Sequence, residues 1–200
     1  MIDSLPTVDE VEGYHKAEIV KVRAAYEELS DAAKAKVSNY ATLTALESSY
    51  NEKYQMMYDM SDTSYFSKHS SYPVPTITLN TDAEEDKNYG NILTVTVDNS
   101  SATGDKHLTI VPKDLANFTT QLGECEKVCF YVYNGYTKSR GLHWRLSEAA
   151  YITLEPGVWT KVEVPVDTFI ASPYIGIYSV GYEAGIHEFK FSAIWAEKAH

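Results

Sequence analysis

The chain is short of cysteine, of basic charge and of long apolar runs, and each shortage removes a class of protein. Cys125 and Cys129 are its only two cysteines. On one extended strand, residues four apart lie ~13 Å from each other, beyond the ~7 Å that a disulfide spans. Two thiols without histidines at finger spacing do not complete a zinc site either. Both read as small buried or half-buried thiols. Lys and Arg number 17 against 28 Asp and Glu, giving a net charge of −11. That field repels phosphate, so nucleic acid is excluded as a partner and anionic membrane surfaces are disfavoured. No stretch approaches the ~20 apolar residues that cross a bilayer, so membrane insertion is not expected. Met1-Ile2-Asp3-Ser4 opens on acid, and no signal peptide is read there. A nucleophile elbow, a His-Glu-x-x-His metal helix and a phosphate loop are missing too. No catalytic residue is assigned, and no enzyme is expected.

What is present divides into two halves. Ile19, Val22, Tyr26 and Leu29 recur at steps of three and four, which predicts an amphipathic helix from about Tyr14. Ser30-Asp31 reads as the N-cap of a short second helix through Val37. Thr42 is the expected cap of a third, with Leu43, Leu46, Tyr50, Tyr54 and Met57 on one face. Residues 1–60 are therefore expected to form a small all-α three-helix domain. Serine-rich sequence and Pro73-Val74-Pro75 mark residues 61–75 as a linker, with Tyr65, Phe66 and Tyr72 able to pin it to a neighbour.

From residue 76 to 200, short alternating runs separated by Gly, Pro, Asn and Asp predict an all-β sandwich of jelly-roll type. Candidate strands are 76–80, 92–98, 107–111, 128–133, 142–147, 151–154, 160–166, 174–180 and 188–195. Alternation places Val128, Phe130 and Val132 on one face, with Cys129, Tyr131 and Tyr133 on the other. Leu142, Trp144 and Leu146 stand opposite His143 and Arg145, and Ile175 and Ile177 stand opposite Tyr174 and Tyr178. If the apolar sets all face the core, Tyr131, Tyr133, His143, Arg145, Tyr174 and Tyr178 form an outer face suited to a glycan. Sugar rings stack on aromatics through their C–H patches, and their hydroxyls need directional donors and acceptors. A plain cross-strand tyrosine ladder explains the same residues. Loop tyrosines Tyr89, Tyr136 and Tyr182 are the alternative place for a site. Trp144 shares a face with leucines, and Trp195 with Phe189, Phe191 and Ala193, so both are expected in the core. Trp159 shares strand parity with Lys161 and Glu163, which by itself points outward.

Two resemblances sharpen these expectations. Ile2-Asp3-Ser4-Leu5-Pro6, residues 22–30 (Val-Arg-Ala-Ala-Tyr-Glu-Glu-Leu-Ser) and Val37-Ser38-Asn39-Tyr40 resemble the short helical repeats of bacterial cell-surface and secreted glycan-active proteins. There such repeats serve as connectors. Phe130-Tyr131-Val132-Tyr133-Asn134, residues 154–165 from Leu-Glu-Pro-Gly-Val-Trp onward, and Ile175-Gly176-Ile177 resemble the galactose-binding-like jelly rolls that include many carbohydrate-binding modules. That resemblance implies a non-catalytic glycan-binding or adhesion module of a larger extracellular protein, and equally a structural or protein-docking module with no sugar site. It also implies a packing role for Trp159. Family members often hold structural calcium with an acid in the last strand; Ser192 stands there instead, so no cofactor is expected from that position. The acidic loop 82–86 offers the other set of carboxylate oxygens suited to calcium.

Overall fold

The computed structural model describes residues 1–68, 76–80, 88–98, 100, 108–113, 120–143, 151–171, 175–177 and 184–199. Three helices open the chain: α1 (Lys16–Glu27), α2 (Asp31–Lys34) and α3 (Tyr40–Lys53). Helical spacing has the expected consequence. Ile19 and Val22 of α1 meet Leu43, Leu46 and Tyr50 of α3, and Ile2 and Val11 close this small core. Ser30 caps α2 as its sequence indicates, its Oγ accepting the Ala33 N–H. None of the described helices is long and apolar enough to cross a membrane.

The third helix departs from expectation at both ends. It begins two residues before Thr42 and stops at Lys53, and Tyr54–Tyr58 forms strand β1 instead. Strand β1 runs antiparallel to β12 (Ile194–Lys198), with Tyr54 opposite Glu197 and Met56 opposite Trp195. Met57 and Tyr58 thereby enter the core of the β half. Burial in the sandwich outweighs the helical continuation that Tyr50 and Tyr54 announce, although their rings still lie 5.4 Å apart. Phe66–Lys68 is likewise a strand, β2, and Phe66 is buried with Tyr65 packed beside it. The helical part thus ends at Lys53 rather than near 60, and Phe66–Lys68 of the expected linker is strand. Residues 54–58 and 66–68 belong to the sheets; 69–75 lie outside the described residues.

The remaining strands are β3 (Thr76–Leu79), β4 (Ile92–Asp98), β5 (Leu108–Pro112), β6 (Cys125–Asn134), β7 (Arg140–His143), β8 (Tyr151–Leu154), β9 (Trp159–Pro165), β10 (Ile175–Ile177) and β11 (Ile186–Ser192), with helix α4 (Val166–Ala171) after β9. Among the described residues they make a seven-stranded sheet, β1-β12-β6-β11-β4-β3 with β9 also on β6, and a five-stranded sheet, β2-β5-β10-β7-β8. All pairings are antiparallel. Val128, Phe130 and Val132 of the larger sheet and Leu142, Ile175 and Ile177 of the smaller share one buried core, as alternation requires. This is the β-sandwich with a helical preface that the sequence predicts.

One kink resets the alternation. Phe189 and Phe191 face the core, but Ala193 pairs with no strand, and Ile194 and Ala196 face inward after it. Trp195 is consequently turned to the outer face, correcting its expected place beside the phenylalanines. Buried Ser192 braces the kink: its Oγ accepts the Tyr131 N–H at 2.7 Å and donates to the Ala193 carbonyl at 2.9 Å.

Candidate functional site

Outward-facing residues of the seven-stranded sheet carry most of the described aromatic surface chemistry. Along β6 the outer residues are Cys129, Tyr131 and Tyr133. Strand β9 sets Glu163, Lys161 and Trp159 opposite them in that order. On the other flank Trp195 pairs with Cys129, and Lys190 pairs with Tyr133. Two different surfaces result, one covered and one open.

The covered end lies under the helical segment. A single helical turn, Gly13–His15, rests on Trp195, and an added Cβ at Gly13 would sit 2.0 Å from the indole Cγ. Tyr50 Oη donates to the Gly13 carbonyl at 2.8 Å, and Tyr54 Oη to the Val11 carbonyl at 3.1 Å. Tyr14 then lies edge-on to both Tyr131 and Trp195, with centroids 5.9 Å away in each case. Tyr131 Oη donates to Glu12 Oε2 at 3.1 Å. Burial, reinforced by the Glu12 charge, pushes the Tyr14 hydroxyl up to about 12 and raises Tyr131 further still. These phenols stay neutral.

Beneath the same end is a charged cluster. Lys127 Nζ lies 3.2 Å from both Glu163 and Glu197, and Lys161 Nζ lies 3.6 Å from both. Cys129, Glu163 and Glu197 place their ligand atoms within 4.8 Å of one another, a spacing compatible with a metal ion. Each carboxylate is nevertheless bridged by two ammonium groups. Burial works against the Glu197 carboxylate, but the Lys127 and Lys161 cations overcome it and hold its carboxyl below the usual range. Burial also drives the Cys129 thiol far up, so it stays protonated beside the ion pairs. The arrangement is a charge-balanced ion-pair network. Both cysteines are free, Cys129 buried and Cys125 partly so, as the sequence indicates.

The open end is a row of half-buried rings. Tyr89, from the connection before β4, stacks on Trp159 at 4.2 Å with planes 23° apart. Tyr133 follows at 5.6 Å from Trp159, and Lys190 Nζ stands 5.6 Å from the Tyr133 ring. Glu188 and Thr96, paired in register between β11 and β4, continue the surface with polar groups. The row joins the covered end through Tyr89 and Tyr131, 5.2 Å apart.

The three described members of the predicted site set, Tyr131, Tyr133 and His143, do not share one sheet. Tyr131 and Tyr133 do point outward from β6, but Tyr131 sits at the covered end. His143 belongs to β7, in the other sheet, where it pairs with Gly176. Arg145, Tyr174 and Tyr178 lie outside the described residues, as do Trp144, Tyr182 and the acidic loop 82–86. The single-face expectation is corrected because β6 pairs with β9, β11 and β12, while β7 pairs with β8 and β10. Outer faces of the two packed sheets look away from each other. Trp159 is a second correction: it is half-buried on the outer face, so its parity with Lys161 and Glu163 was the reliable signal. Tyr14, Glu12 and Lys190 had no signal in the sequence beyond their residue type. A separate cleft of about 380 Å³ lies in the helical segment, lined by Ile2, Val22, Tyr26, Leu29 and Val37 among others.

No protein-family model matches this chain, and no curated protein does either. Solved structures do match. The family 11 carbohydrate-binding module of the cellulosomal cellulase Lic26A-Cel5E of Clostridium thermocellum is 12% identical, with a TM-score of 0.42 over 73% of this chain and 95% of its own. The solution structure of CtCBM11 is 13% identical, with a TM-score of 0.44 over 74% and 96%. CBM29_1, a family 29 carbohydrate-binding module from Piromyces equi, is 11% identical, with a TM-score of 0.38 over 73% and 90%. These are likenesses of architecture. The chemistry assigned to the aromatic row stands on its own geometry.

Proposed function

We propose that the chain is a non-catalytic carbohydrate-binding module of a larger extracellular protein, and that the glycan lies along Tyr133, Trp159 and Tyr89. One observation carries this reading: three half-buried rings in a row on one sheet face, flanked by Lys190, Glu188 and Thr96. Aromatic rings accept the C–H faces of sugars, and the flanking groups offer donors and acceptors to their hydroxyls. The net charge of −11 favours a neutral or basic glycan over an acidic one. The close carboxylates Glu163 and Glu197 on this face are bridged by lysines rather than set across a cleft, which supports a binding role over hydrolysis.

A structural or docking role is the second reading, favoured by one feature: Tyr89 already occupies a face of Trp159. A glycan array separates the two, followed by titration with Trp159→Ala and Tyr133→Ala. Under the binding reading both changes weaken the selected glycan by about tenfold or more, the worth of a lost ring contact. Tyr131→Phe leaves binding unchanged, because only its bond to Glu12 is removed. An array on which the unmodified chain selects nothing establishes the structural reading; binding indifferent to both alanine variants moves the site elsewhere.

A further inference from the structure

Tyr89 completes the aromatic row but belongs to no strand, so something besides sheet pairing must fix its ring. Among the described residues, its aromatic neighbour outside the sheet is Tyr14, at 6.4 Å. Gly90 makes the approach closer still. At φ +72°, an added Cβ there would lie 2.8 Å from the Tyr14 carbonyl oxygen, so backbone meets backbone at this point. Tyr14 is itself immobilised, its ring 4.1 Å from His15 and 5.9 Å from Trp195, on a turn tied to α3 by the Tyr50–Gly13 hydrogen bond. A continuous line of contact therefore runs from α3 through Gly13, Tyr14 and Tyr89 to Trp159.

We propose that the helical segment is a working part of the binding site, with Tyr14 acting as a positioning residue that props Tyr89 against Trp159. This rests on the reading of the row as a glycan surface and goes beyond it, because it turns the helical preface from a spacer into a determinant of affinity. A ring held in place before the ligand arrives loses less conformational freedom on binding. The ring of Tyr14, and not its hydroxyl, does the propping, since the contacts to Tyr89, Tyr131 and Trp195 are all ring contacts.

Two readouts on the full chain test it: the near-ultraviolet circular dichroism of the stacked Tyr89–Trp159 pair, assigned by its loss in Trp159→Phe, and titration with the array-selected glycan. Tyr14→Ala is expected to diminish the stacked-pair signal and weaken binding by roughly tenfold. Tyr14→Phe is expected to preserve both. Gly90→Ala attacks the same contact from the other side and is expected to reproduce the Tyr14→Ala result with helical content intact; it decides the matter if Tyr14→Ala fails to fold. Alanine variants that leave signal and affinity unchanged overturn the proposal. Loss of binding in Trp159→Ala alone keeps the glycan reading and removes the positioning role. A diminished stacked-pair signal in a chain that binds no glycan does the reverse.

Discussion

Gly13 shows how one missing side chain fixes the relation between the two halves. Trp195 is fully buried outside the sandwich core, and what covers it is the backbone of the Gly13–His15 turn. Any Cβ at residue 13 falls inside the indole, so Gly13→Ala must lift the turn and with it the Tyr50 and Tyr54 hydrogen bonds. We expect a loss of roughly 1–3 kcal/mol in chemical denaturation, the usual cost of overpacking, with increased tryptophan exposure. An unchanged midpoint would contradict the contact. Nothing in the sequence identifies this glycine: it sits in an acidic, irregular stretch, and its reason is a tryptophan 182 positions along the chain. Trp195 itself was legible as buried but not as to where, since its parity with Phe189 and Phe191 holds only if the strand is continuous. Trp159 was legible from Lys161 and Glu163 alone. Tyr131 and Tyr133 were legible as outward, while their separation into covered and open ends depends on the helical turn above them.

Elements with strong periodicity were readable to within a few residues, and those decided by distant pairing were not. Strand β4 has the expected span, and β6 the expected faces, because alternation of Val, Phe and Tyr encodes both. Strand β1 carries an i, i+4 tyrosine pair and no Gly or Pro, so locally it reads as helix; the edge of β12 and the core positions filled by Met57 and Tyr58 decide otherwise. The break at Ala193 has no turn residue to announce it. This assignment makes a specific prediction for native-state hydrogen exchange. In Gly13→Ala the amides of α1 and α3 should lose protection as the helical segment loosens, while those of β1 exchange only with global opening of the sandwich, like β12. If β1 amides instead follow α3, residues 54–58 belong energetically to the helical half.

At the scale of the whole molecule, several groups with displaced proton affinities lie at the junction of helices and sheet and give stability a definite pH profile. Burial holds the His15 imidazole below its ordinary 6.5, and its Nδ1 accepts the Glu12 N–H at 2.9 Å. Below pH 6.5 the unfolded chain therefore takes up a proton that the folded chain resists, and stability falls as pH falls. On the alkaline side the displacement is upward. Burial raises Cys129 above its ordinary 9.0, and Tyr14, Tyr50 and Tyr131 above 10.0. The unfolded chain loses those protons first, so that stability is whole below about pH 9 and declines as pH rises through 9 and then 10. Thermal melts should thus show a plateau between roughly pH 6.5 and 9 with a fall on either side. His15→Gln should flatten the acid limb between about pH 5 and 6.5, because Gln at this position of a capping box still accepts the Glu12 N–H without titrating. Cys129→Ala should shrink the first alkaline step, to which Cys125, also raised by burial, contributes the remainder, and leave the tyrosine step in place. An acid limb that persists unchanged between about pH 5 and 6.5 in His15→Gln would place the proton uptake on a group other than His15, and not on Glu197, whose lowered carboxyl costs stability only as pH falls below its ordinary 4.5.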